Sequence, residues 1–388
     1  MSHDRDIPTL KTQAKNIIEA HRAELVELGL RIHAHPETAM QEHQAAAWIT
    51  SVLKNNSFAI TTGICDMPTA FRAVYGSGRP RIAFIAEYDA LPGLGHACGH
   101  NLIATAAVAA AIGSRPAVDS LGGSVLVIGT PAEELQGGKI EMIARGAFND
   151  IDAALMAHPS SYDSAAVKAL ACACIYVEFF GKEAHAAAQP EEGINALEAM
   201  ILSFNAVNSL RQHIEDGARI HGIITDGGRA ANIVPGHAAG HFLVRADNLP
   251  YLEKLKARVL ACMQGAALAS GARLEYRWEE KEYAPMLNHP ELTGRYISNM
   301  AALGNMVPLF NPDSSFGSTD MGNLSQHVPA LHAEVAVAAA GTGVHTTEFA
   351  CLAGEEASFV PMMRSAAGLA MTAIDLLADA SCLKAETR

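Results

Sequence analysis

The sequence predicts a two-domain α/β protein. A main domain with a parallel-rich sheet and helices on both faces is interrupted by an inserted α+β domain of ferredoxin-like order. Three observations carry this. Short apolar runs at residues 82–86, 124–129 and 153–157 alternate with helix-like segments, as parallel strands joined by crossover helices do. From about Ala169 the order becomes β-α-β-β-α-β. After Pro285 the first alternation returns, so the main domain is discontinuous, residues 1–170 and 286–388 around an insert at 171–285.

Taken in order, residues 8–28 have helical spacing, with Ile17, Ile18, Leu25 and Leu28 on one face. The run 82–86 leads into Asp89 and a loop, Gly95-His96-Ala97-Cys98-Gly99-His100-Asn101, in which Asn101 is placed to cap a helix over 102–112. The run 124–129 leads into Pro131-Ala132-Glu133-Glu134, and 153–157 into His158. Ligand sites in such sheets lie beyond the carboxyl ends of the strands, so these groups are expected to meet in one crevice. In the insert, strands are expected at 172–180, 221–225, 240–246 and 273–278, and helices at 195–214 and 252–269. A helix near 365–378 closes the chain.

Apolar residues make up 49% of the 388 and charged ones 18%, which marks a soluble globular protein and not a disordered one. A net charge of −13 leaves nothing to neutralise phosphates, so a nucleic-acid partner is not expected. The longest apolar window, 102–112, is too short to span a bilayer, so no membrane partner is expected. Residues 1–11 mix acids and bases without an apolar core, so no secretory signal is read there. Seven cysteines without framework spacing fit a reducing cytoplasm.

Cysteine, histidine and carboxylate form the ligand set of a borderline-soft divalent cation such as zinc. Gly99 lets the chain fold tightly enough for Cys98 and His100 to face one way, and the helix amino end favours a thiolate. Glu134 is the carboxylate ligand candidate and Glu133 the proton shuttle. His158 ends an apolar strand, and His345 lies in Gly341-Thr342-Gly343-Val344-His345-Thr346, with His327 and His332 as rivals for the distal ligand. Each alone is equally a buried loop, a solvated turn or a core histidine; their joint occurrence after successive strands is what carries weight. The third glycine of a dinucleotide loop is missing, since Gly93, Gly95 and Gly99 lack the spacing, and no Gly-x-Ser-x-Gly turn exists.

Further matches lie at Tyr88-Asp89-Ala90-Leu91-Pro92, His158-Pro159, Gly181-Lys182-Glu183-Ala184-His185-Ala186 and Asn232-Ile233-Val234-Pro235. With these, the chain resembles the zinc-dependent aminoacylase and carboxypeptidase family of co-catalytic metallopeptidases. It is most similar to the amidohydrolase branch of hippurate, auxin-conjugate and aminobenzoyl-glutamate hydrolases. The resemblance implies two divalent ions per protomer, zinc first with manganese or cobalt as alternatives, held by Cys98, His100, Glu134, His158 and His345, with Cys98 between them. It implies Glu133 as general base and Asp89 as the orienting partner of a ligand histidine. It also implies His185 on the oxyanion, and Asn232 and Arg245 on the substrate carboxylate or carbonyl.

The activity so implied is hydrolysis of the amide bond of N-acyl or aroyl amino acids by water activated at two metal ions. Cleavage of small peptides by the same chemistry is the alternative, and a metal-binding homologue without turnover the reading of another class. The insert is expected to be a lid and dimer contact, making a homodimer in which His185 serves its own or the partner's site. Two positions depart from the hippurate-hydrolase pattern: Asn101 replaces an aspartate, and Glu87 stands where an aspartate is usual. Both resemble the aminobenzoyl-glutamate and dipeptidase-like branch, and they leave the substrate open.

Overall fold

Apolar alternation alone does not reveal the edge of the main sheet. A computed structural model, which describes residues 6–312 and 317–383, places six strands there. They are β1 (Ala59–Thr62), β2 (Phe71–Ser77), β3 (Arg81–Ala86), β4 (Gly123–Gly129), β5 (Ala153–Ser160) and β10 (Ala330–Ala336). Four more, β6 (Ala171–Phe180), β7 (Arg219–Asp226), β8 (His237–Ala246) and β9 (Arg273–Trp278), form a separate sheet.

The main sheet has the order β1-β2-β4-β3-β5-β10. β3, β4, β5 and β10 run parallel, while β1 and β2 add an antiparallel edge that the apolar runs did not announce. β4 is buried at every position because both of its faces are covered. Phe84, Val127, Leu155 and Leu331 face a core shared with Leu25, Ile32, Leu102, Val108, Phe359 and Ile374. The segment read as one helix over 8–28 is two, Ile7–Ala20 and Arg22–Ala34, divided at His21.

The helix expected at 102–112 spans His100–Leu121. Its 22 residues reach the length of a membrane span, yet it is buried along most of its course, a core helix whose many alanines let neighbours pack closely. The closing helix likewise begins earlier than expected, at Glu356.

Among the described residues the chain divides into two compact units. One comprises residues up to Lys168, 286–312 and from Asn323 onward; the other, Ala169–Pro285 with 317–322. In the second, the sheet order β7-β8-β6-β9 is antiparallel throughout. Helices Ala196–Leu210 and Leu249–Ser270 bury Met200, Val207, Leu255, Val259 and Met263 against Ile175, Val177, Phe242 and Val244. This is the ferredoxin-like arrangement the strand and helix order predicts. Asn195 and Asn248 start the two helices by accepting the amides of Glu198 and Tyr251.

Candidate metal centre

Because β3, β4, β5 and β10 are parallel, their carboxyl ends lie at one edge of the sheet, and the candidate residues follow from them. After β3 the chain passes Glu87 and Asp89 and reaches Cys98. Gly99 then adopts φ 72° and starts the helix His100–Leu121. A Cβ at Gly99 would lie 2.5 Å from Pro159 Cγ, so only glycine lets this loop close on the strand carrying His158. Asn101 does not cap the helix. It is fully buried one residue inside it, and Nδ2 donates to the carbonyls of Ala353 (2.8 Å) and Gly29 (3.3 Å).

Asp89 ties two candidate ligands together. Its Oδ1 lies 2.9 Å from His100 Nδ1, and its Oδ2 accepts the amide of Glu134 at 3.1 Å. The first contact puts the His100 proton on Nδ1 and turns Nε2 toward the cluster. That Nε2 and Glu134 Oε1 stand 3.7 Å apart, and Glu134 Oε1 is 3.3 Å from His345 Nε2. Cys98 Sγ is 3.5 Å from His158 Nε2, whose ring is held by Nδ1 against Pro159 O at 2.8 Å. Around a tetrahedral zinc ion, with bonds of roughly 2.0–2.3 Å, ligand atoms sit about 3.3–3.6 Å from one another. The observed spacings match.

His100 Nε2 and Glu134 Oε1 are buried and make no hydrogen bond. Unpaired polar atoms of this kind are costly unless something binds them. Cys98, His100 and His158 form one potential ligand group, Cys98, Glu134 and His345 a second, and His100, Glu133 and Glu134 a third. The donors thus fit a pair of divalent ions.

Burial pushes the Glu134 carboxyl up, but His345 and His100 outweigh it and hold it below the usual carboxylate range. Burial opposes the His100 imidazolium, yet Asp89 raises its pKa well above the ordinary value. Burial and the nearby acids raise the Cys98 thiol, so without a cation it keeps its proton; the helix end alone does not make the expected thiolate.

Two non-glycine residues take left-handed backbone here, Ala132 (φ 62°) and His345 (φ 64°). The His345 amide donates to Ala97 O at 2.8 Å, which pins its loop to the Cys98 loop. Its rival His327 is exposed beside Asn149, and His332 is buried on β10.

Four further residues shape this centre, Glu42, Lys139, Glu87 and Glu334, and of these only Glu87 was singled out in the sequence. Glu42, fully buried, accepts the amides of Met40 and Ala132 through Oε1 and the Thr69 hydroxyl through Oε2, each at 3.0 Å. It therefore fixes the turn before Glu133. Lys139 Nζ binds Glu87 Oε1 at 2.6 Å, and Glu87 Oε2 lies 3.4 Å from His100 Nε2. Glu334, directly across from His158 in the β5–β10 register, is the fourth. A lysine inside Gly137-Gly138-Lys139, five residues after Glu134, was the one available signal.

His185, Asn232 and Arg245 belong to the second unit. His185 Nδ1 accepts the amides of Ala187 and Ala188, each at 3.2 Å, which leaves its proton on Nε2. The Asn232 carbonyl accepts the Ala186 amide, so the two loops are neighbours. Arg245 lies at the far end of β8, with Nη1 on Ser318 Oγ at 2.7 Å and Nε on His221 Nε2 at 3.4 Å. The structure thus joins His185 with Asn232 but not with Arg245.

Residues 83–371 match the model of peptidase family M20/M25/M40. The Xaa-Arg dipeptidase of Mus musculus is 37% identical over 96% of this chain and 90% of its own length. One of the polypeptides of the p-aminobenzoyl-glutamate hydrolase of Escherichia coli is 30% identical over 95% of this chain and 92% of its own length. Among solved structures, a dinuclear metal-binding peptidase of Bacillus subtilis superposes with a TM-score of 0.73 at 19% identity, covering 92% of this chain and 99% of that one, a likeness of fold. With the strand-end cluster in place and both relatives aligned over nearly its whole length, the chain belongs to peptidase family M20/M25/M40 and is a hydrolase of amide or peptide bonds.

Proposed function

We propose that the protein splits the amide bond of a small dipeptide, with two divalent ions held by Cys98, His100, Glu134, His158 and His345. The observation that carries this is the cluster of unpaired, mutually close donors around Glu134 Oε1 and His100 Nε2. When bound, such a pair of cations supplies Lewis acidity toward the carbonyl and lowers the pKa of water. The donor set suits zinc, manganese or cobalt. Glu133 takes the proton of the attacking water and delivers it to the departing nitrogen, which leaves poorly as an anion. Asp89 holds His100 and the Glu134 backbone in register for this.

The dipeptide reading is supported by the 37% relative, an Xaa-Arg dipeptidase. The second reading, an aroyl- or acyl-amino-acid amide, is favoured by the 30% relative, part of an aminobenzoyl-glutamate hydrolase. Assays of Xaa-Arg and Xaa-Lys dipeptides beside hippurate and aminobenzoyl-glutamate separate the two. Glu133→Gln is expected to retain its ions but lose at least about 10²-fold in kcat, the usual scale of general base catalysis. Chelation is expected to abolish activity, and added Zn²⁺, Mn²⁺ or Co²⁺ to restore it. Near-native turnover of Glu133→Gln, or activity indifferent to chelation, overturns the assignment.

His185 is assigned to the oxyanion, since its Nε2–H is a donor, and Asn232 and Arg245 to the substrate's carbonyl and carboxylate. The protein is proposed to act as a homodimer in which His185 serves its own or the partner's site. Exposed Ile223 and Ile224 on the edge strand β7 supply a pairing surface. Seven unpaired cysteines support a cytoplasmic location.

A further inference from the structure

The outer face of β10 carries a group that the reaction does not use. His332 and Glu334 are two residues apart on one strand and so share a face, while Leu331, Ala333 and Val335 take the other and enter the core. The parallel register sets Glu334 beside His158 and His332 beside Met156. His332 is 2% exposed, and neither ring nitrogen has a hydrogen-bond partner. Its Nε2 is 3.8 Å from Glu334 Oε1, and Glu334 Oε2 is 3.8 Å from His158 Nδ1. The His158 and His332 rings lie 5.6 Å apart, tilted by 30°. One ligand atom from each of the three residues falls within 4.8 Å of the others.

A buried imidazole with both nitrogens unpaired is costly to fold. Glu334 beside it hydrogen-bonds Ser160 through its carboxyl, which leaves it able to share a cation with His332. A cation on Glu334 and His332 would satisfy the imidazole. We propose that His332 and Glu334 form, with His158 as third wall, an accessory seat for a divalent cation next to the two-ion centre. The nitrogen and oxygen donors select zinc, cobalt or manganese. His158 Nδ1 already donates to Pro159 O, so only two ligands are dedicated to the seat and water completes it. The seat therefore binds more weakly than the pair. Lys139 also opposes a positive charge at His332, and Glu87 neutralises it at 2.6 Å.

The test is a Co²⁺ titration of the metal-free protein, read by absorbance and by metal analysis after ultrafiltration. Cobalt at the centre containing Cys98 gives a sulfur-to-metal charge-transfer band; cobalt in the accessory seat, which has no sulfur, does not. The wild type is expected to take up three equivalents, the last adding only weak visible absorption. His332→Phe and Glu334→Gln are each expected to stop at two with the charge-transfer band intact. Equal uptake by wild type and both variants overturns the proposal. Absence of the charge-transfer band in wild type counts instead against Cys98 as a ligand, so the two failures are distinguishable.

Discussion

Glu42 offers a prediction whose size follows from the structure. Burial, followed by the charge of Asp89, pushes its carboxyl from 4.5 up to about 7, although the Thr69 hydroxyl and the Met40 amide act to lower it. An acid with a raised folded pKa binds more protons when folded, so it favours folding fully below about 4.5 and loses that contribution as pH rises through about 7. From 4.5 to about 7, at about 1.4 kcal/mol per pKa unit, the full loss is about 3.5 kcal/mol. Glu42→Gln removes the charge and keeps the geometry. The amide oxygen still accepts from Met40 and Ala132, and the amide nitrogen donates to a reoriented Thr69 hydroxyl. The assay is urea unfolding of chelator-treated wild type and variant at constant ionic strength between pH 5 and 8.5. The stability of Glu42→Gln relative to wild type is expected to rise with pH by up to about 3 kcal/mol and level off above pH 8. A difference that stays flat, or falls with pH, refutes the reasoning.

Breaking the buried Glu87–Lys139 pair by Lys139→Met is expected to cost about 3–5 kcal/mol in urea unfolding, with Glu87→Gln/Lys139→Met recovering most of it, because an unpaired buried charge costs more than no charge. Gly99→Ala forces a Cβ against Pro159 in left-handed backbone, and is expected to weaken metal retention against a competing chelator by at least tenfold while the fold persists by circular dichroism. Ile223→Lys/Ile224→Lys is expected to shift the sedimentation coefficient from dimer to monomer, and an unchanged coefficient removes β7 as the interface.

Three of the parallel strands, β3, β4 and β5, were legible because both of their faces are buried, and so they read as unbroken apolar runs such as 82–86 and 124–129; β10, interrupted by His332 and Glu334, was not. β1 was not: its four residues, Ala59-Ile60-Thr61-Thr62, are half exposed at a sheet edge and carry no pattern. Metal-ligand candidates announced themselves through residue type and their place after strands. Glu42, Lys139 and Glu334 did not, since a buried charge is recognisable only once its partners are in place, and those partners are distant in sequence; His332 was read only as a rival for the distal ligand. Asn101 was misplaced for a related reason. Its sequence position suits a cap, but the carbonyls of Gly29 and Ala353, 72 and 252 residues away, claim its amide.

The two departures from the hippurate-hydrolase pattern take on a different meaning in this light. Glu87 is 1% exposed, with one oxygen on Lys139 and the other facing His100 Nε2. Its extra methylene, relative to aspartate, lets one carboxylate meet both. Asn101 is fully buried between two backbone carbonyls, which require a donor; an aspartate there would set its negative charge against two more acceptors. Neither residue has surface to offer a substrate. Both act on how rigidly the amino end of the helix His100–Leu121, and with it His100, is held. In this chain they are therefore parts of the scaffold that builds the centre, not a mark of what is cleaved. Discrimination between those substrates has to come from side chains exposed to them, and the exposed Asn232 and the partly exposed Arg245 are the residues on which to look for it first.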